Sequence, residues 1–320
     1  MLGKYEIEIY NRRVHYYLSV KRNLTVIQGN SATGKTELIR MLSDYENNGN
    51  SSGITEICEK RCVVIDNAFW KEKLRSLSQC IIFIDEGASF LRSQEFAEMV
   101  KGSDNYFVLI TRDRLDQLPY SIEEIYGMRL AREQQKYNVA KRVYNELYQI
   151  YNLKTEQTFC PTEVITEDSN SGHDFFKSIY GDICHSSHGK SNILARLQSS
   201  PAKKILTIVD GAAFGPEMAN VMRYIQDTKK IVVLYAPESF EYLILKANIL
   251  SHPSSVTEET WQWADSKEYF SWEEFYTDYL TRYSADTVYQ YHKHKLKDIY
   301  MTSGVKKKIV SQLPKQLRLP

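Results

Sequence analysis

Gly29-Asn30-Ser31-Ala32-Thr33-Gly34-Lys35-Thr36 matches the pattern G-x-x-x-x-G-K-[ST] at every fixed position. The residues on either side suit the same reading. Leu24, Thr25, Val26 and Ile27 precede it as an apolar run, and Glu37-Leu38-Ile39-Arg40-Met41-Leu42 follows with helical spacing. A strand, a glycine-bearing loop and a helix N-terminus let backbone N–H groups curl around phosphates while the helix dipole favours their charge. Lys35 is expected to bridge the β- and γ-phosphates, and Thr36 to ligate Mg²⁺. Residues 29–36 are thus the expected binding set for a nucleoside triphosphate, with ATP and Mg²⁺ as cofactors.

Further along, Cys80-Ile81-Ile82-Phe83-Ile84-Asp85-Glu86 is an apolar run closed by two carboxylates. A run apolar on both faces suits a central parallel strand covered by helices, and ligands sit at the C-terminal ends of such strands. Asp85 is expected to hold Mg²⁺ and Glu86 to polarise an attacking water. A third apolar run, Tyr106-Phe107-Val108-Leu109-Ile110, leads to Thr111 and Arg112. Thr111 is the candidate that orients the water. Arg112 and Arg114 are candidates for stabilising transition-state charge, in cis or across a subunit interface. Two surface arginines remain the alternative.

The order of elements fits these assignments. Residues 5–10 and 14–20 alternate around Asn11-Arg12-Arg13 and read as a β-hairpin. Then come strand 24–28, helix 35–44, a Gly/Asn/Ser-rich loop near 47–53, strand 61–66, helix 68–78, strand 80–85, helix 90–101 and strand 106–111. An edge hairpin at 124–138 and a helix at 139–151 complete the first half. Strand–helix alternation implies an α/β fold, a parallel sheet with helices on both faces.

The two acidic and phosphate motifs, Gly29–Thr36 and Ile81–Glu86, together resemble a P-loop NTPase. The hairpin ahead of the loop is similar to the start of ATP-binding-cassette and recombination-type ATPases. No Leu-Ser-Gly-Gly-Gln-like signature lies between the motifs, so the resemblance implies a minimal ATPase core without cassette-style dimer hydrolysis.

The second half carries Val164-Ile165-Thr166 before Glu167, and Ile205-Leu206-Thr207-Ile208-Val209 before Asp210, with a helix over 216–227 and a strand at 231–235. Strand–Glu–helix followed by strand–Asp–helix–strand resembles the Toprim domain of topoisomerases, primases and overcoming-lysogenisation-defect nucleases. That resemblance implies that Glu167 and Asp210 hold a second Mg²⁺ for phosphodiester chemistry. Ala212 stands where the family's second aspartate belongs, and Glu217 or Asp182 are the candidates to compensate. One carboxylate fewer weakens cation binding. An unrelated α/β domain with solvated strand-end acids is the other reading. His188-Gly189-Lys190-Ser191 lacks the leading glycine, where Cys184 stands, and no apolar strand precedes it, so it is not counted as a second phosphate loop.

Composition bounds the rest. The chain has 320 residues, long enough for two domains. Its 41 basic and 40 acidic residues exclude a global polyelectrolyte. Lys4, Glu6, Glu8, Arg12 and Arg13 break any signal-peptide core, and no stretch reaches the length of a membrane span. Five scattered cysteines imply a reduced, cytoplasmic chain. Cys58 with Cys62, and Cys184 with His185 and His188, are thin as zinc sets. Aromatic residues crowd the stretch from Trp261 to Tyr291, where Ser271 and Glu274 read as a capping box. Their rings read as helix packing, or as stacking on unpaired bases. Lys293, Lys295, Lys297, Lys306, Lys307, Lys308, Lys315 and Arg318 make the tail basic, either a DNA- or RNA-binding patch or a mobile end.

The expected organisation is therefore an ATPase domain over 1–150, a Toprim-like domain over 155–250 and a helical aromatic and basic region over 256–320. The resemblance to ATPase–Toprim proteins implies a role in genome defence or on mobile elements, with ATP controlling a domain directed at nucleic acid. The alternatives are a nucleotide-dependent regulatory protein that docks a protein partner or a second copy of itself, and a small-molecule kinase.

Overall fold

The computed structural model describes residues 1–29, 34–131, 142–153 and 157–317. The chain divides into two compact units, Met1–Tyr151 with Trp261–Phe270, and Asn152–Thr260 with Ser271–Pro320.

The first unit is built on β1 (Tyr5–Tyr10), β2 (Val14–Val20), β3 (Leu24–Ile27), α1 (Lys35–Asn48), β4 (Thr55–Ile57), β5 (Cys62–Ile65), α2 (Trp70–Ser76), β6 (Ile81–Ile84), α3 (Gln94–Val100), β7 (Tyr106–Ile110), β8 (Ile125–Leu130) and β9 (Val143–Gln149). Among the described residues, nine strands form one sheet in the order β4-β1-β2-β9-β8-β3-β7-β6-β5. The stretch β8-β3-β7-β6-β5 is parallel throughout. Strands β3, β6 and β7 are buried at every position, which is why their sequences are unbroken apolar runs. Alternate residues serve opposite faces. Ile81, Phe83, Tyr106 and Val108 join Leu38, Met41 and Leu42 of α1 in one core. On the other face Phe107 meets Phe96 of α3 edge to face, 6.0 Å between ring centres.

The hairpin β1–β2 is antiparallel, with Tyr10 opposite His15. The Asn11 side chain closes its turn by accepting from the backbone N–H of Arg13 and Val14. Two expectations need correction. Residues 143–149 form a strand, not part of a helix over 139–151, because β9 is held parallel to β2 on one side and antiparallel to β8 on the other. For the same reason β8 is interior to the sheet and not an edge hairpin within 124–138; residues 132–141 lie outside the described set.

The second unit holds β10 (Glu163–Thr166), α4 (Ser171–Tyr180), β11 (Cys184–Ser186), α5 (Ile193–Ser199), β12 (Lys204–Ile208), α6 (Gly215–Asp227), β13 (Ile231–Tyr235), α7 (Phe240–Lys246), α8 (Ser255–Glu258), α9 (Trp272–Tyr283) and α10 (Ser303–Val310). Its four strands form a parallel sheet in the order β11-β10-β12-β13. Helix α9 begins where Ser271 accepts the backbone N–H of Glu274 and buries Phe275, Tyr276 and Leu280. The basic tail is folded onto this unit. Lys306 donates to the carbonyl of Ser178, Lys297 to Gln290, and α10 buries Val305 and Ile309. No helix among the described residues is long and apolar enough to cross a membrane.

Candidate functional site

The first unit gathers its polar residues at the C-terminal ends of three neighbouring strands. β3 runs into Gly29, β7 into Thr111 and Arg112, and β6 into Asp85 and Glu86. Because β7 lies between β3 and β6, the acidic strand end stands two strand spacings from the loop strand, roughly 10 Å at about 4.8 Å each.

Of the loop, Gly29, Gly34, Lys35 and Thr36 are described, while Asn30, Ser31, Ala32 and Thr33 lie outside the described residues. Gly34 has φ +91° just ahead of α1, a conformation that glycine adopts freely and other L-residues do not. Its carbonyl accepts a 2.9 Å hydrogen bond from Tyr16 Oη. A Cβ at position 34 would meet that same hydroxyl at 2.9 Å. Tyr16, on β2, therefore props the loop, and nothing in its local sequence marks it for that role.

Lys35 is buried, and its ammonium donates to the carbonyl of Gly29 at 3.0 Å. Burial pulls its pKa below the ordinary lysine value, Arg112 pushes the same way, and Glu86 and Asp85 oppose both. Four side chains from three separate motifs thus share one electrostatic neighbourhood. Glu86 and Arg112 form an ion pair, Oε1 to Nε 3.2 Å, with both side chains about half exposed. Asp85 accepts the backbone N–H of Glu86 at 2.8 Å. Thr36 is exposed on the first turn of α1. Thr111 is buried, and its Oγ1 accepts the N–H of Asp113 at 2.9 Å, which fixes the turn that carries Arg112. Arg114 pairs with Asp116. A cavity of about 420 Å³ adjoins Gly34, lined by the apolar Val14, Met128, Leu130 and Val143, by Tyr16, and by the polar Glu37, Arg129 and Asn145.

In the second unit Glu167 and Asp210 follow the adjacent strands β10 and β12 and line one cavity of about 30 Å³. The Asp210 N–H donates to Glu167 Oε2 at 3.0 Å. Burial is the largest cause raising both carboxyls, and Glu273 adds repulsion to each. Glu167 is pushed up to about 8 and Asp210 well above the usual carboxylate range. Ala212 is buried at 2 % exposure, its N–H on the carbonyl of Glu238. Neither candidate to replace it, Glu217 or Asp182, lines the cavity. The carboxylates that face this pair electrostatically are Glu273, from the first turn of α9, Asp168 and, for Asp210, Glu241 of α7; motif spacing reveals neither Glu273 nor Glu241.

The pair does not fit the three-carboxylate Mg²⁺ set that the Toprim resemblance implies. Lys293 lines the same cavity and forms a 2.8 Å ion pair with Glu273. Tyr291 Oη donates to Glu241 at 2.7 Å. Among the described residues no group of three or more His, Cys, Asp or Glu is arranged to hold a metal ion, and this covers the Cys58 and Cys184 clusters as well. Lys190 of the false second loop instead donates to the carbonyl of Ala213 at 3.0 Å.

No model of a known protein family matches the chain, and no curated protein matches it significantly. Its residues and geometry alone carry the functional argument.

Proposed function

We propose that the chain is a P-loop NTPase that binds and hydrolyses ATP, and that its nucleotide state controls the second, Toprim-like unit, which is directed at nucleic acid or at a protein partner. The observation that carries this reading is the convergence of Lys35, Asp85, Glu86 and Arg112 on one strand-end edge.

The residues divide the work by position. The Lys35 ammonium exchanges the Gly29 carbonyl for phosphate oxygens, a stronger, charge-assisted acceptor. Thr36 and Asp85 would hold Mg²⁺, which neutralises phosphate charge when bound. Glu86, one residue beyond Asp85, takes a proton from the attacking water. Arg112 leaves Glu86 to face the transferring phosphate, where a guanidinium stabilises spread negative charge. The ion pair that it gives up is exposed and contributes little to stability. The 420 Å³ cavity beside Gly34, partly apolar and partly polar, is of a size to take a nucleoside.

The test is Mg²⁺-dependent ATP turnover by wild type, Lys35→Ala and Glu86→Gln, with and without DNA. Turnover lost in both variants and stimulated by DNA supports a nucleic-acid-coupled ATPase. Tight ATP binding without turnover under either condition sinks the hydrolytic role of Glu86.

A second reading, a nucleotide-dependent interaction protein without nuclease activity, is favoured by two observations. Apolar, buried Ala212 stands at the family's second aspartate, and the acids near Asp210 are engaged by Lys293 and Tyr291.

A further inference from the structure

We propose that Lys293 is the resident cation of the acidic pocket in the second unit, and that its ammonium keeps divalent metal out of the site that Glu167 and Asp210 would otherwise form. The inference concerns the pocket alone and does not depend on the ATPase reading.

The argument begins with charge. Glu167, Asp168, Asp210 and Glu241 line a cavity of about 30 Å³, and Glu273 stands close enough to raise the carboxyls of Glu167 and Asp210. Five acids around a space with room for about one water repel one another; protons held on the Glu167–Asp210 pair relieve part of that repulsion, and a positive charge beside Glu273 relieves the rest. Lys293 is the ammonium lining that space, and it forms an ion pair with Glu273 at 2.8 Å. Asp210 and Glu241 both act on it to favour its charged form.

Its placement is enforced by the backbone. The carbonyl of Lys293 accepts the N–H of Ser171, the first residue of α4, at 2.9 Å. Two residues before it, Tyr291 bonds Ser171 Oγ and donates to Glu241. Three residues after it, the Leu296 N–H bonds Asp174 of α4 at 3.2 Å. The backbone of this segment is therefore pinned along the start of α4, which sets the Lys293 side chain beside the pocket, where its ammonium is held by Glu273.

Neighbouring acids are engaged as well. Glu167 Oε2 accepts the Asp210 N–H, Glu241 accepts Tyr291, and Asp168 accepts both the backbone and side-chain N–H of Asn170. A divalent ion needs several oxygens at once and would have to displace the ammonium first.

Mn²⁺ binding to the nucleotide-free full-length protein, read by electron paramagnetic resonance, tests this directly. Wild type and Lys293→Arg should leave Mn²⁺ free. Lys293→Met should bind one Mn²⁺ per chain at least about ten-fold more tightly than wild type, and adding Asp210→Asn should abolish that binding. Because Lys293→Met leaves Glu273 unpaired, the double variant Lys293→Met/Glu273→Gln is measured beside it, and the same gain is expected. Wild type binding Mn²⁺ in a manner lost in Asp210→Asn would overturn the proposal. Failure of both the single and the double variant to gain a site would overturn it too.

Discussion

Glu86 and Arg112 each lie two residues past the end of adjacent strands, β6 and β7, and their side chains close a 3.2 Å ion pair. The proposed base of hydrolysis is thus held, before nucleotide arrives, by the group proposed to stabilise the charge that hydrolysis creates. Replacing Arg112 with Ala should lower turnover while changing folding stability by less than about 1 kcal/mol, since exposed ion pairs are worth no more. Turnover assays and a denaturant melt on the same preparation separate the two effects. Unchanged turnover would return Arg112 to the surface arginines.

Glu86→Gln keeps the shape of the side chain and removes its basicity. Turnover should fall by a factor on the order of 10²–10⁴, the usual contribution of a general base. Bound ATP should persist, because Lys35 and the loop are untouched. Single-turnover kinetics with radiolabelled ATP distinguish slow chemistry from lost binding.

Gly34 is constrained twice, by φ +91° and by the Tyr16 hydroxyl at 2.9 Å from any added Cβ. Gly34→Ala should cost about 1–2 kcal/mol for the left-handed backbone alone and weaken ATP binding. Adding Tyr16→Phe should relieve the steric part and not the backbone part, so recovery should be partial. Full recovery in the double variant would show that the backbone conformation carries no cost.

Stability should depend on pH through Glu167. Its carboxyl rises from 4.5 unfolded to about 8 folded, so the folded state holds a proton that the unfolded chain has released. The Glu167 contribution to stability therefore falls as pH climbs from about 4.5 to about 8, and the raised carboxyl of Asp210 adds a fall of the same sign. Glu167→Gln should flatten that fall, as read from melting temperatures at pH 5.5 and 8.5 with chelator present. An equally steep fall in the variant would locate the proton elsewhere.

What was legible in the sequence follows from the physics of burial. β3, β6 and β7 are covered on both faces, so their runs are apolar and their ends are marked by the first polar residue, which is where the site residues stand. β9 was not legible. Val143-Tyr144-Asn145-Glu146-Leu147-Tyr148-Gln149 mixes polar and aromatic residues, and only its neighbours β2 and β8 make it a strand. Tyr16 carries no mark in the sequence, because its role is a single hydroxyl aimed at Gly34. Glu273 and Lys293 reach the second pocket from segments far downstream of Glu167, and no spacing rule joins residues that meet only through the packing of α4, α7 and α9.

The most direct measurement is an ATP-binding isotherm for wild type beside Lys35→Ala, followed by calorimetry in the presence of Mg²⁺. Wild type should bind one ATP per chain, and Lys35→Ala should bind at least about ten-fold more weakly with an unchanged melting temperature in the absence of nucleotide. Equal affinity in the two proteins, or no binding by wild type, would contradict the assignment of residues 29–36 as a nucleotide site.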